Sequence, residues 1–190
     1  MSNPLRILQV LDRRLTRETE MILFGRAALA LGFPSAPERF HSTRDVDGIL
    51  SADWLSAEDE NLDFWIAQQA TNAELSGDGL YLTHLFRESE VILQPNWLTR
   101  LVKLPLPLSK LTVYRPAVID LILTKMARGD EQDLEDIDFL LKQEPIPAQA
   151  LREAFARARI PDVTEMRELF LAAQPKILKL AADVEANRQS

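Results

Sequence analysis

Residues 21–25 read Met-Ile-Leu-Phe-Gly, and residues 43–50 read Thr-Arg-Asp-Val-Asp-Gly-Ile-Leu. The first is a short continuous apolar run that stops at Gly25, the pattern of a buried strand. Ala27 to Leu31 is rich in Ala and Leu and ends at Gly32, which predicts a short helix with a glycine stop. Phe33 to Glu38 holds two prolines and a serine and reads as a loop. In Asp45 to Leu50 acidic and apolar residues alternate at first. Period-2 alternation puts Asp45 and Asp47 on one face of a strand and Val46 on the other. The segment is therefore a strand, a glycine turn into a helix, a loop, and a second strand that carries two acids on one face.

The flanking sequence extends this pattern. Leu5, Leu8, Leu11 and Leu15, with charged residues between them, predict an amphipathic helix over Pro4–Leu15. Ala57 to Ala73 is helical in spacing, with Leu62, Trp65, Ile66 and Gln69 as its face, and Gly77-Asp78-Gly79 is a turn. Leu80–Leu82, Glu90–Leu93, Leu101–Leu104 and Leu111–Tyr114 are strand candidates. From Pro116 glycine becomes scarce and helical spacing dominates. One helix runs to a break at Gly129, and a second is capped by Asp130 and runs through Lys142. Two more follow, about Ala148–Arg159 and Thr164–Asn187, the last kinked or split at Pro175. The expected fold class is α/β (α+β), a mixed sheet with flanking helices over residues 1–115, followed by a helical C-terminal region over 116–190.

Composition narrows the function. The chain has 190 residues, 46% hydrophobic and 27% charged, which suits a globular protein. Lys plus Arg is 22 and Asp plus Glu is 29, a formal charge of 22 − 29 = −7. That balance argues against a general nucleic-acid coat, which needs excess cations against phosphate. There is no cysteine, so disulfides, thiolate metal sites and cysteine nucleophiles are excluded. His41 and His84 are the two histidines, too few for a multi-histidine zinc centre. No apolar run approaches the roughly twenty residues that span a bilayer, and no signal-peptide pattern opens the sequence. The expectation is a soluble, cytoplasmic chain with no membrane partner.

Two constellations carry chemistry. A strand that turns through Gly25 into a helix presents backbone N–H groups and a helix dipole suited to phosphate. Asp45 and Asp47, pointing the same way, suit one or two magnesium ions held against a triphosphate. An Asp-x-Asp pair also arises by chance in an acidic chain, usually as a loop or strand-edge pair. The second constellation is Lys125 at the end of one helix with Asp133 and Asp136 opening the next. Its plain reading is helix capping and a solvated acidic face; its functional reading is Lys125 on a nucleotide phosphate, oriented by Asp133. His41 is expected at the surface and His84 as a satisfied, partly buried histidine. Trp54, Trp65 and Trp97 are expected in the core or at an interface rather than stacked on a base. The clusters Arg13, Arg14, Arg17 and Arg152, Arg157, Arg159 read as solvated faces that would also suit RNA phosphate.

Leu23-Phe-Gly25-Arg-Ala-Ala-Leu-Ala-Leu, Thr43-Arg-Asp45-Val-Asp47, Asp120-Leu-Ile-Leu-Thr-Lys125 and Asp133-Leu-Glu-Asp136-Ile occur in that order. Together they resemble the nucleotidyltransferase superfamily of the polymerase-beta type, and within it small bacterial proteins related to abortive-infection nucleotidyltransferase toxins. The resemblance spans about residues 20 to 142. It implies transfer of a nucleotidyl group from a magnesium-bound nucleoside triphosphate to a hydroxyl of RNA, such as tRNA, or of protein. It also implies a toxin-like role with an antitoxin partner. By it, Asp45 and Asp47 are catalytic metal ligands, Gly25 and Arg26 border the phosphates, and Lys125 with Asp133 bind nucleotide. The family places a glycine or serine where this chain has Arg26. The third carboxylate of the family has its best counterpart in Glu90, with Glu88 behind it. Those two departures support an alternative, a non-catalytic member of the fold that binds nucleotide or a protein partner. A plain helical interaction protein ranks last, because it leaves Gly25 and the Asp pair unexplained.

Overall fold

The apolar run ending at Gly25 forms strand β1 (Thr19–Phe24), and the Asp-Val-Asp segment forms strand β2 (Asp45–Leu50). They pair antiparallel, with Ile22 opposite Ile49, Leu23 opposite Gly48 and Phe24 opposite Asp47. The computed structural model describes residues 2–189, apart from the side chains of 58–60 and 189. In it β1 and β2 are interior strands of a five-stranded sheet with β3 (Tyr81–Arg87), β4 (Val102–Lys103) and β5 (Leu111–Arg115). The order is β3-β2-β1-β5-β4. The β1–β5 and β2–β3 pairs are parallel and the β4–β5 pair is antiparallel. The sheet is thus mixed, with flanking helices, as the sequence predicts.

The chain divides into two compact units, Met1–Glu88 with Leu101–Arg115, and Ser89–Arg100 with Pro116–Ser190. The first holds the sheet with helices α1 (Asn3–Arg14), α2 (Gly25–Gly32), α3 (Glu38–His41), α4 (Ala52–Ser56) and α5 (Glu58–Leu75). Residues alternate between sheet faces, so Met21, Leu23 and Val46 point to one side and Ile22, Phe24, Asp45 and Asp47 to the other. Met21, Leu23 and Val46 are buried, and so are Ile7, Leu8 and Leu11 of α1. Ser2 caps α1 by accepting from the Leu5 N–H, and Pro4 sits in the first turn, where no N–H is needed.

The buried face of α5 differs from the face that spacing predicts. Leu62 and Ile66 are 59% and 60% exposed, while Phe64, Ala67, Thr71 and Leu75 are buried. Polar side chains on the inner side explain the difference. Gln68 and Asn72 each donate to the Leu82 carbonyl at 2.9 Å, and the Leu82 N–H donates to the Asn72 carbonyl oxygen at 2.7 Å. β3 is an edge strand, and these amides satisfy its outward backbone groups. Trp54, Phe64 and Trp65 meet edge to face with centroids 5.3 to 5.6 Å apart.

The second unit holds α6 (Val118–Lys125), α7 (Glu131–Gln143), α8 (Ala148–Arg157) and α9 (Thr164–Gln189). Asp130 caps α7 by accepting from the Asp133 N–H at 2.8 Å. α9 runs unbroken through Pro175, where the sequence predicts a kink or a split. Pro175 and Leu171, whose carbonyl the proline cannot engage, both lie on the exposed side, where solvent can satisfy the carbonyl. Phe170, Ala173, Ile177, Ala181 and Val184 form the buried stripe of α9. Glu90–Leu93 is not a strand. A 3-10 turn at Glu88–Glu90 leads into one isolated bridge, Leu93 to Arg159, and Val91, Ile92 and Leu93 are buried. A short apolar run does not by itself distinguish a strand from buried irregular chain. Here side chains replace a ladder: the Gln94 N–H donates to Asp120 Oδ1 at 2.9 Å, and Gln94 Nε2 to the Ala154 carbonyl at 2.8 Å. Trp97 is also in the core, at 2% exposure. No described helix is long and apolar enough to cross a membrane.

In the first unit, Asp12 of α1 accepts from the backbone N–H groups of Ser109, Lys110 and Leu111 at 2.7 to 3.0 Å, pinning the chain as it enters β5. Burial works to raise its pKa, but these three bonds and the Lys110 charge prevail and hold the carboxyl below its ordinary value of 3.8. A depressed folded pKa stabilises above the unfolded value and is lost as pH falls through the folded one. Asp12→Ala should therefore lower unfolding stability at neutral pH by about 1–3 kcal/mol. In urea titrations that deficit should shrink as pH drops below 3.8.

Candidate active site

The site starts at the turn between β1 and α2. Gly25 has φ of +61°, a left-handed conformation that L side chains adopt at a cost. A Cβ there would lie 3.3 Å from Asp47 Oδ2. The position thus needs glycine twice, for its backbone and for the carboxylate beside it. The Phe24–Asp47 pairing sets this approach, because it places the residue after Phe24 next to the acid. Phe24, at the cap position of α2, offers no side-chain cap, so the helix opens beside the acids without one.

Asp45 and Asp47 lie on the same face, both half-buried. Thr43 Oγ1 donates to Asp45 Oδ1 at 2.7 Å and orients it. Burial, and then the Asp45 charge, push the Asp47 carboxyl above its ordinary value, while His84 and Thr83 act in the opposite direction. His84 Nδ1 stands 3.1 Å from Asp47 Oδ1, and Thr83 Oγ1 stands 3.5 Å from the same oxygen. Ligand atoms of Asp45, Asp47 and His84 all fall within 4.8 Å of one another. Two carboxylates and an imidazole at that spacing suit a divalent cation. Among the described residues this is the one such group.

His84 is the residue that sequence reasoning missed. Its side chain is 64% exposed, not partly buried. β2 and β3 pair Val46 with Leu82 and then Gly48 with Leu85, so Asp47 faces two residues, Thr83 and His84. This is a β-bulge, a device common beside active sites. His84 has φ of +34° and is the one non-glycine residue at positive φ among those described. Such a conformation costs about 1–2 kcal/mol. The sequence carries a trace of it: Leu80 and Leu82 keep a spacing of two, and the next leucine, Leu85, comes after three.

The remaining expected site residues fall into separate groups. Arg26 opens α2, with its guanidinium over the buried Phe40 ring at 5.5 Å. Glu90 is exposed, outside the metal-capable group, and Glu88 accepts from the Ala52 N–H at 3.3 Å. His41 lines a cavity of about 680 Å³ with Glu38, Phe33 and Lys103. Arg13 and Arg14 pair with Glu74. In the second unit Lys125 is 6% exposed and donates to Asp136 Oδ2 at 2.6 Å, with Asp133 Oδ1 at 3.5 Å. Asp133 also accepts from Arg128 at 3.1 Å. Its shortest contact, and that of Lys125, are thus with residues other than each other.

A family model described as a nucleotidyltransferase of unknown function (DUF6036) matches residues 5–169. No curated protein and no solved structure matches the chain.

Two measurements follow from the charges. A carboxyl with a raised folded pKa is stabilising while protonated, and that contribution is lost as pH rises through the folded value. At pH 7 Asp47 therefore opposes folding. Asp47→Asn should raise thermal stability there by about 0.5–1 kcal/mol, with the gain fading below pH 3.8. Lys125→Met removes the cation 2.6 Å from the buried Asp136 carboxylate and should cost about 3–5 kcal/mol in denaturant unfolding.

Proposed function

The chain belongs to the DUF6036 family of nucleotidyltransferases, and on that premise we propose that it transfers a nucleotidyl group from a nucleoside triphosphate to an acceptor hydroxyl. The observation that carries the reading is the grouping of Asp45, Asp47 and His84 beside the Gly25 turn. In the reaction the acceptor hydroxyl gives up its proton to water and its oxygen bonds to the α-phosphorus as the bond to the pyrophosphate oxygen breaks. Asp45 and Asp47, with His84, would hold the divalent ion, magnesium in the simplest case. That ion supplies charge stabilisation for phosphate oxygens. Gly25 keeps the approach to Asp47 free of a side chain, Thr43 fixes Asp45, and the opening turn of α2 would meet the phosphates with its dipole. Arg26, held over Phe40, is a cation at the start of that helix and suits a phosphate oxygen.

By the resemblance, Lys125 would contact a nucleotide phosphate. Its charge is already matched by Asp136 and Asp133, so its first duty is to hold α6 to α7. The acceptor is an RNA end, such as that of tRNA, or a protein hydroxyl, and an antitoxin partner extends the same reading. Both extensions rest on the resemblance of the motifs. A second reading has its own observation. The metal-capable group contains no third carboxylate, so the protein would instead bind a nucleotide or a protein partner without turning it over.

Calorimetric titration of each nucleoside triphosphate with magnesium separates these readings from a plain scaffold. Binding should require the metal and disappear in the Asp45→Asn, Asp47→Asn double variant, which should remain folded. Release of pyrophosphate on adding RNA or protein acceptors then distinguishes the enzyme from the binding module. A folded wild-type protein that binds no triphosphate overturns the nucleotide reading.

A further inference from the structure

We propose that the ion held by Asp45, Asp47 and His84 in the nucleotide-free protein is a first-row transition dication of the manganese(II) type, and that His84 selects it over magnesium. This rests on the metal site of the proposed function and adds its ion and its selectivity residue.

Three features aim the imidazole at the acids. The bulge in β3 sets both Thr83 and His84 against Asp47, where a regular strand would offer one residue. His84 holds a left-handed backbone conformation, with φ of +34°, in the middle of a strand. Its ring is stacked on Phe86 at 5.9 Å and 16°, and Phe86 meets Phe24 edge-on at 5.5 Å. The ring is thus backed by an aromatic pair on its own sheet face, with Nδ1 toward Asp47. A histidine that merely filled surface would need neither the bulge nor the strained backbone.

The donor set then decides the ion. Magnesium takes oxygen ligands at short, near-octahedral distances and keeps its waters. Imidazole nitrogen suits first-row transition dications such as iron, nickel and zinc, while carboxylate oxygen suits manganese as well as magnesium, so a mixed set of two carboxylates and one imidazole favours a transition dication over magnesium. Two carboxylates and one imidazole leave positions open for phosphate oxygens, which manganese accepts readily. A third carboxylate in place of His84 would make the site all-oxygen and more favourable for magnesium.

The test uses the full chain without nucleotide. Manganese binding is read from loss of the free-ion electron paramagnetic signal, and magnesium binding from its competition. The wild type should bind manganese tighter than magnesium, and by a larger factor than His84→Asn does. Its bound-manganese spectrum should carry a nitrogen coupling from the imidazole. His84→Asn keeps a residue that tolerates positive φ, and should lose the nitrogen coupling and most of the preference. His84→Asp should move the preference toward magnesium. Circular dichroism melts confirm that each variant is folded. Manganese bound without nitrogen coupling, or an unchanged preference in folded His84→Asn, overturns the inference and leaves the Asp pair as the metal site. If neither ion binds, or if binding survives the Asp45→Asn, Asp47→Asn double variant, the metal site of the proposed function fails and the inference fails with it.

Discussion

The antiparallel register of β1 and β2 is the constraint on which the site depends. Because Phe24 lies opposite Asp47, the chain leaving β1 must turn immediately beside a carboxylate. A residue without a Cβ takes the left-handed turn without strain and keeps the 3.3 Å approach to Asp47 clear, so glycine at position 25 suits the pairing. The same register puts Asp45 and Asp47 on one face, two residues apart, with the start of α2 beside them. A slip of one residue would turn both acids to the packed side of the sheet and bring Val46 to the site.

The site stores unfavourable terms and the rest of the unit offsets them. Asp47 is desolvated next to another acid, and His84 sits in a strained conformation at a bulge. Against this stand the buried leucines of α1, the aromatic cluster at Trp54, Phe64 and Trp65, and the Asp12 carboxylate clasped by three backbone N–H groups. Asn72 and Gln68 hold the edge of β3 at Leu82, one residue before the bulge begins. An edge strand anchored there can depart from regular pairing at Thr83 without fraying.

Electrostatics in the helical unit follow a different logic. Lys125 is buried with Asp133 and Asp136, and Arg128 supplies the second cation from the exposed side. Desolvation of these buried charges consumes much of their mutual attraction, so the cluster stabilises the packing of α6 on α7 less than its short distances suggest. Asp120 plays a related part, accepting from the Gln94 N–H and from Arg100. All three acids lie in the stretches that resemble the nucleotidyltransferase motifs, and all three are engaged within their own unit.

Local pattern alone determined the elements around Gly25, the shared face of Asp45 and Asp47, the Asp130 cap and the helices after Pro116. These depend on periods and caps that act within a few residues. It did not determine which face of α5 is buried, because Gln68 and Asn72 turn inward to satisfy the backbone of Leu82, 14 and 10 residues further on. Nor did it place Glu90–Leu93, whose apolar run suits either a strand or a buried coil. Above all it missed His84. Which residues of β3 face Asp47 depends on a bulge, and a bulge is set by how two distant strands pair. Sequence could name the acids, since i and i+2 share a face in any strand; only the tertiary pairing decided that a histidine stands third beside them.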